Sequence, residues 1–332
     1  MTLHRHLAIV PALALALAAA CAGDDVGDTS ASSTAGSSDG STSNGTGSTA
    51  DTSTSADAST SASTGSTSGA TSESSSSSGG ATTGEPLEPF SFFVTSLESI
   101  QLLSGSEQGF GGDLRYGEQG AGAGLRGADK ICAEIAEMSM PGAGQKQWRA
   151  FLSAASGENG EQVNAKDRIG EGPWYDRLGR LVATDTTSLL TERPTGMDPA
   201  IIDDFPNEWG VPNHQPDPNF PEVDNHDTLT GTNAKGELYS AKHTCLDWTA
   251  NKGDLNAEGR PRVGHSWPRY GMGGMMPPQM GDGSMANWMS SLDESGCAPG
   301  INLIEMGPPI PGEVTVGSGG GYGGIYCFAL TP

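Results

Sequence analysis

The pattern of hydrophobic and polar positions divides the 332-residue chain into three parts. An apolar run over 7–20 follows a positively charged start at Arg5, and residues 22–85 are almost wholly Ser, Thr, Gly, Ala and Asp. A run of this length is too short to span a bilayer, and the polar tract cannot bury a core. We therefore predict a secretory signal peptide over 1–20, a disordered tether over 21–85 and one folded domain over 86–332.

The clearest element of the domain is an amphipathic helix that begins near Gly124. Apolar residues recur there at spacings of three and four, while charged residues occupy the positions between them. The apolar positions are Ala128, Ile131, Cys132, Ile135 and Met138. Pro141 and Gly142 follow directly and predict the end of the helix.

Other segments have the apolar composition of short strands. The run Phe90–Leu103 is β-like, Trp148–Leu152 predicts a strand or a second short helix, Asp176–Arg180 predicts a hairpin, and Gly324–Leu330 predicts a terminal strand. Residues 191–227 and 250–286 lack any period and predict two long irregular loops.

Charge narrows the classes of partner. The formal net charge is −23, and residues 86–332 hold 32 acids against 16 bases. Such a balance repels phosphate backbones, so we expect no nucleic-acid partner, whereas divalent cations remain compatible.

Five cysteines divide into Cys21, at the end of the signal, and four in the domain: Cys132, Cys245, Cys297 and Cys327. An exported domain enters an oxidising compartment, which favours two disulfides. Spacing alone leaves three pairings open.

The residues before Cys21 resemble a bacterial lipobox. Ala18, Ala19 and Ala20 precede the cysteine, although the position three before it is usually Leu. The resemblance implies cleavage before Cys21, acylation of this cysteine, and a lipid anchor. Because Ala22 follows rather than Asp, it also implies the bacterial outer membrane.

The folded part resembles the endostatin-type C-type-lectin-like domain, including versions found in bacterial lipoproteins. The resemblance covers most of 90–332, and insertions fall in both long loops. It is carried by Gly127-Ala128-Asp129 with Cys132, Arg149–Ser153, Val163–Asp167, Pro173-Trp174, Thr230-Gly231-Thr232, His243-Thr244-Cys245 with Trp248, Cys297, and Tyr326-Cys327-Phe328.

This resemblance implies an α+β, C-type-lectin-like domain with long irregular loops, and the pairing Cys132–Cys327 with Cys245–Cys297. Two features depart from the family. Residues 86–124 contain no His, so the zinc site of endostatin does not carry over. The run Gln215-Pro216-Asp217 is similar to the sugar–calcium motif of C-type lectins, but it lies upstream of the matching position.

Candidate chemistry concentrates in the two loops. His226, Asp227, His265 and Trp267 are the candidate ligand-binding residues, because they lie in or beside runs similar to other bacterial members. Ca²⁺ is a candidate ion, since irregular acidic loops supply the oxygen ligands that it needs. The candidate ligands are Asp217, Asp224 and Asp227.

Alternatives stay open at this point. The acidic loop is also explained as a solvated surface, and His214, His226, His243 and His265 could instead contribute to a transition-metal site. Gly319–Gly324 matches GxGxxG but precedes a strand, which argues against a dinucleotide site.

Together these features predict a lipid-anchored protein whose lectin-like domain binds a glycan or an extracellular protein at the cell envelope. We do not expect an enzyme. A structural envelope protein without a discrete ligand is the first alternative, and an enzyme on a lectin-like scaffold is the second.

Overall fold

The computed structural model describes residues 88–213, 225–267, 286–303 and 312–332. Their fold is α+β, as predicted, and its main element is a six-stranded sheet. Five strands follow the spatial order β1-β8-β5-β6-β7, and the sixth strand, β2, also pairs with β8. The strands are β1 Phe92–Val94, β2 Trp148–Ala150, β3 Trp174–Tyr175, β4 Leu181–Ala183, β5 Asp227–Leu229, β6 Arg262–His265, β7 Leu292–Asp293 and β8 Gly321–Ala329.

The strand β8 pairs with three other strands of the sheet. It pairs antiparallel with β1 and β2 and parallel with β5, and all nine of its residues are buried. Strands β3 and β4 form a separate two-stranded hairpin, which confirms the hairpin predicted around Asp176–Arg180.

In the described part of the chain, three right-handed α-helices accompany the sheet: α1 Leu97–Ser104, α2 Ala123–Ser139 and α3 Thr186–Leu189. The helix α2 confirms the periodic pattern, because Ala128, Ile131, Cys132 and Ile135 are fully buried. Short 3₁₀ turns lie at Ala143–Gln145, Ala165–Asp167 and Ala241–His243. Among the described residues, no helix has both the length and the apolar character needed to cross a membrane.

Both faces of β8 are buried, and the strand contributes to two hydrophobic cores. Ile325, Cys327 and Ala329 pack into a cluster that contains the inner face of α2. Tyr326 and Phe328 belong to a second cluster, which is rich in aromatic rings. Because successive strand residues point to opposite faces, this alternation places one core on each side of the sheet.

The cysteines pair as the family resemblance implied. Cys132 on α2 is bonded to Cys327 on β8, and Cys245 is bonded to Cys297. The first disulfide joins the helix to the central strand across 195 residues of sequence, and the second closes a loop of 52.

The segment Cys245–Trp248 winds in the left-handed direction, with φ between 48° and 66° at four consecutive non-glycine residues. A left-handed turn costs roughly 1–2 kcal/mol per L-residue. Hydrogen bonds offset part of this cost: the Asp247 carboxylate accepts from the amides of Ala155 (2.6 Å) and Ser156 (3.1 Å). The Trp248 indole donates to the Ser153 carbonyl at 2.8 Å.

Two sequence predictions were wrong in part. The β-like run Phe90–Leu103 is a strand only over Phe92–Val94, because Ser96 caps a helix and accepts a hydrogen bond from the Ser99 amide at 3.2 Å. The predicted loop 250–286 contains β6, whose four residues are too few to show a clear alternation.

Gly127 gives a test of the packing of α2. A Cβ at this position would lie 2.1 Å from the Arg115 carbonyl oxygen and 2.2 Å from that of Leu114. Helix propensity alone predicts that Gly127→Ala stabilises the domain by about 1 kcal/mol. We expect the opposite, a loss of about 1–3 kcal/mol, because the added methyl group overpacks the contact.

Chemical denaturation of the full chain measures this difference. Ala133→Gly in the same helix is the control, with an expected loss of only about 1 kcal/mol from propensity. A Gly127→Ala variant more stable than the parent would contradict the close contact.

Candidate functional site

His226, Asp227 and His265 meet at one end of the β5–β6 pair. Asp227 is the first residue of β5, and its antiparallel partner is His265, the last residue of β6. Directly opposed residues project from the same face of a sheet, so the two side chains approach each other. His226 lies one residue before the strand, and its ring packs edge-on against His265 with centroids 4.2 Å apart.

The parallel pairing of β5 with β8 is irregular at this point. Asp227 is opposite Gly321, but Thr228 is opposite Gly324, so the register shifts between two adjacent residues. Bulges of this kind re-aim a side chain and are frequent beside functional sites. Here the bulge coincides with the carboxylate of the cluster.

The donor atoms of the three side chains converge. One atom from each residue lies within 4.8 Å of the others. Asp227 Oδ1 is 3.2 Å from His265 Nε2 and 3.5 Å from His226 Nε2. All three side chains are buried, with relative exposures of 0 to 2% for the residues. Two imidazoles and one carboxylate in this arrangement form a set that can hold a metal ion.

Surrounding residues fix the cluster in place. Ser291 Oγ lies 3.2 Å from His265 Nδ1, on the side of the ring away from Asp227. Arg193 donates from Nη1 to the His265 carbonyl (2.8 Å) and from Nη2 to the Ser266 carbonyl (2.7 Å). The same guanidinium lies 4.3 Å from the centroid of the Phe205 ring. These contacts hold the end of β6 and therefore the position of the imidazole.

A second buried carboxylate, Glu294, lies beside Asp227. Its Oε2 accepts from Ser318 Oγ (2.7 Å) and from the Gly319 amide (2.9 Å). Burial, and next to it the charge of Asp227, raises the pKa of Glu294 well above its usual range, against the two hydrogen bonds. A Cβ at Gly319 would lie 2.6 Å from Asp227 Oδ2, so glycine allows both acids to approach this backbone.

Hydrogen bonds between distant parts of the chain lie near the cluster. Asn225 Nδ2 donates to the Asn213 carbonyl at 2.7 Å. The Tyr322 hydroxyl on β8 donates to Asn213 Oδ1 at 3.0 Å, and burial raises the pKa of Tyr322. The His265 amide donates to the Asn287 carbonyl at 3.0 Å. Residues 213, 225, 265 and 287 therefore lie around one end of the sheet.

All four candidate ligand-binding residues come together in the structure. Trp267 joins the cluster through an edge-on contact with the His226 ring, with centroids 5.9 Å apart. Their role in binding a ligand stays a prediction. Because His226, Asp227 and His265 are buried, they cannot form the face of a macromolecular interface themselves, whereas Trp267 is partly exposed. A group that reaches the three buried side chains must be the size of an ion or a water molecule.

Of the other candidate ligand residues, His243 is the one in the described part of the chain. Asp217, Asp224, His214 and the lipidation candidate Cys21 are outside the described residues. His243 pairs with a different acid, because its Nε2 is 3.3 Å from Asp293 Oδ2 and its Nδ1 is 2.7 Å from Ser240 Oγ.

Sequence reasoning did not identify Glu294, Ser291 or Arg193. Each lies far along the chain from the residues that it supports, and none belongs to a recognisable motif. Two glycines of the GxGxxG match are explained by packing, since Gly319 and Gly321 leave room for Asp227.

A surface groove of about 820 Å³ lies among a different set of residues, which includes Phe110, Arg115 and Tyr116. The Tyr116 hydroxyl donates to Glu134 Oε2 at 2.7 Å, and this hydrogen bond is the main reason that the pKa of Tyr116 rises to about 12. The four candidate residues do not line the groove, so it is not an entrance to the cluster.

No protein-family model matches the chain, and no curated protein matches its sequence.

Proposed function

We propose that this protein is an exported, lipid-tethered domain of the C-type-lectin-like class that binds a glycan or an extracellular protein at the cell envelope. The partly exposed Trp267, which packs against the buried His226 ring at one end of the sheet, is the observation that carries this proposal. The signal, Cys21 and the polar tract supply the export and the tether, and the paired disulfides supply a rigid support.

The partly exposed Trp267 is the part of the cluster that a large ligand can contact. Asn213 and Asn225, which are hydrogen-bonded to each other, belong to irregular segments near the same end of the sheet. Loops on a rigid scaffold carry binding function disproportionately, and tryptophan is enriched among the residues that dominate binding energy. We therefore assign the ligand-binding face to the surface around Trp267.

Binding of the full chain to broad glycan and matrix-protein arrays, with and without Ca²⁺, tests this proposal. We expect at least one specific ligand, and a loss of about tenfold or more in affinity for Trp267→Ala. Trp209→Ala is the matched control, because Trp209 is 46% exposed and lies outside the cluster.

Two results would argue against the proposal. If neither array showed binding, a structural role in the envelope would replace ligand recognition. If Trp267→Ala and Trp209→Ala bound the ligand equally well, the binding face would lie elsewhere on the domain.

A further inference from the structure

We propose that His226, Asp227 and His265 form a binding site for one divalent transition-metal ion, with zinc as the representative ion. The ligand atoms are Nε2 of each histidine and one oxygen of Asp227. This inference is independent of the macromolecular ligand, because it concerns three buried side chains that such a ligand cannot reach.

The distances agree with a shared metal ion. Zinc binds histidine nitrogen and carboxylate oxygen at about 2.0–2.2 Å, and a tetrahedral arrangement then separates ligand atoms by roughly 3.3–3.5 Å. The two distances from Asp227 Oδ1, 3.2 Å to His265 Nε2 and 3.5 Å to His226 Nε2, lie close to this separation. An ion therefore requires only small movements of the side chains.

The contact at the far side of His265 favours metal binding through Nε2. Ser291 Oγ lies 3.2 Å from Nδ1 of this ring. When Nδ1–H donates to the serine oxygen, the Nε2 lone pair points toward Asp227. Metal-binding histidines are commonly oriented by a hydrogen bond at their other nitrogen. Arg193 adds to this support, since it holds the His265 backbone carbonyl at 2.8 Å.

The chemistry of the donors selects the class of metal. Two imidazoles and one carboxylate suit zinc and neighbouring transition metals, and three protein ligands leave a further coordination position for water or a small group. Ca²⁺ instead takes six to eight oxygen ligands. Among the described residues, the ligand set at Asp227 therefore favours a transition metal. The sequence had instead predicted calcium as the candidate ion, from the acidic loop.

The surrounding charge also favours a cation. Asp227 and Glu294 both approach Gly319, where a Cβ would lie 2.6 Å from Asp227 Oδ2 and 3.4 Å from Glu294 Oε2. Two carboxyl groups are thus buried side by side, and a negative charge on Asp227 is costly to bury in such surroundings. A divalent ion at Asp227 offsets this cost.

Two imidazole–carboxylate ion pairs would produce similar distances, so the experiment must separate the two explanations. The untagged full chain is treated with a chelator, dialysed, and titrated with Zn²⁺ by calorimetry. An untagged chain is needed because a polyhistidine tag would itself bind zinc. We expect one Zn²⁺ per chain with a Kd of about 1 µM or tighter.

Substitution of the ligands localises the site. We expect Asp227→Asn and His265→Ala each to weaken zinc binding by about 100-fold or more, since removing a direct ligand should cost at least as much as removing its supporting contacts. His243→Ala is the matched control and should leave the affinity unchanged, because His243 pairs with Asp293. Circular dichroism of each variant confirms that it is folded.

A spectroscopic measurement on the unmodified chain tests the proposal even if a variant fails to fold. Co²⁺ added to the unmodified chain should give the visible absorption of a low-coordinate nitrogen–oxygen site, and Zn²⁺ should abolish it. Absence of stoichiometric Zn²⁺ uptake by the unmodified chain would overturn the proposal and leave the ion pairs as the explanation. Uptake that survives in folded Asp227→Asn and His265→Ala, or a Co²⁺ signal displaced by Ca²⁺ instead of Zn²⁺, would overturn it as well.

Discussion

Removal of the Cys132–Cys327 disulfide, in the double variant Cys132→Ala/Cys327→Ala, should lower the free energy of unfolding by about 5 kcal/mol. The bond closes a loop of 195 residues, and the loss of entropy that it imposes on the unfolded chain grows with the logarithm of loop length. It also joins α2 to β8 within a buried core, so the two alanines remove packing between these elements. Chemical denaturation of the oxidised full chain measures the change.

The second disulfide supplies an internal comparison. Cys245–Cys297 closes only 52 residues, so its removal should cost about 1 kcal/mol less by the same entropic argument. Cys21→Ala is the control for loss of a cysteine outside both bonds. An unfolding free energy unchanged by the Cys132→Ala/Cys327→Ala substitutions would show that this bond does not stabilise the native domain.

Trp288→Ala should destabilise the domain by about 3–5 kcal/mol, the range typical of truncating a buried tryptophan. Trp288 is fully buried, and its ring lies 4.7 Å from Phe151 and 5.2 Å from Tyr326 between centroids. Its indole N–H donates to the carbonyls of Leu189 (3.2 Å) and Thr191 (3.1 Å). The substitution therefore creates a cavity and leaves buried carbonyls with fewer donors.

Thermal and urea unfolding of Trp288→Ala and Trp209→Ala give the matched comparison. Trp209 is 46% exposed, so its truncation should change the unfolding free energy by less than about 1 kcal/mol. Equal effects of the two substitutions would contradict the placement of Trp288 in the aromatic core.

The candidate site shows where sequence reasoning succeeds and where it stops. His226, Asp227, His265 and Trp267 lie in or beside runs that resemble bacterial lectin-like domains, and the structure places them together. Glu294 was missed, because its importance comes from a position beside Asp227 that is created by the pairing of distant strands. No local pattern in the sequence marks such a neighbour.

The same distinction explains the errors in the fold. A four-residue strand such as β6 has too few alternations to be detected, whereas the 17 residues of α2 repeat their apolar pattern over several turns. The apolar residues of α1 continue those of β1 along the chain and therefore predict one β-like run, although the Ser96 cap separates the two elements.

The sequence by itself determined the helix α2, because this helix depends on spacings between residues that are neighbours along the chain. The α+β class is what the family resemblance implies. The family resemblance, carried by residues spread across the domain, correctly anticipated both disulfides. Only the tertiary structure decided that Asp227 opposes His265, that a bulge occurs beside Gly321, and that Glu294 is buried next to them. These arrangements arise from long-range strand pairing, in which hydrogen bonds and burial link residues whose separation in sequence carries no periodic signal.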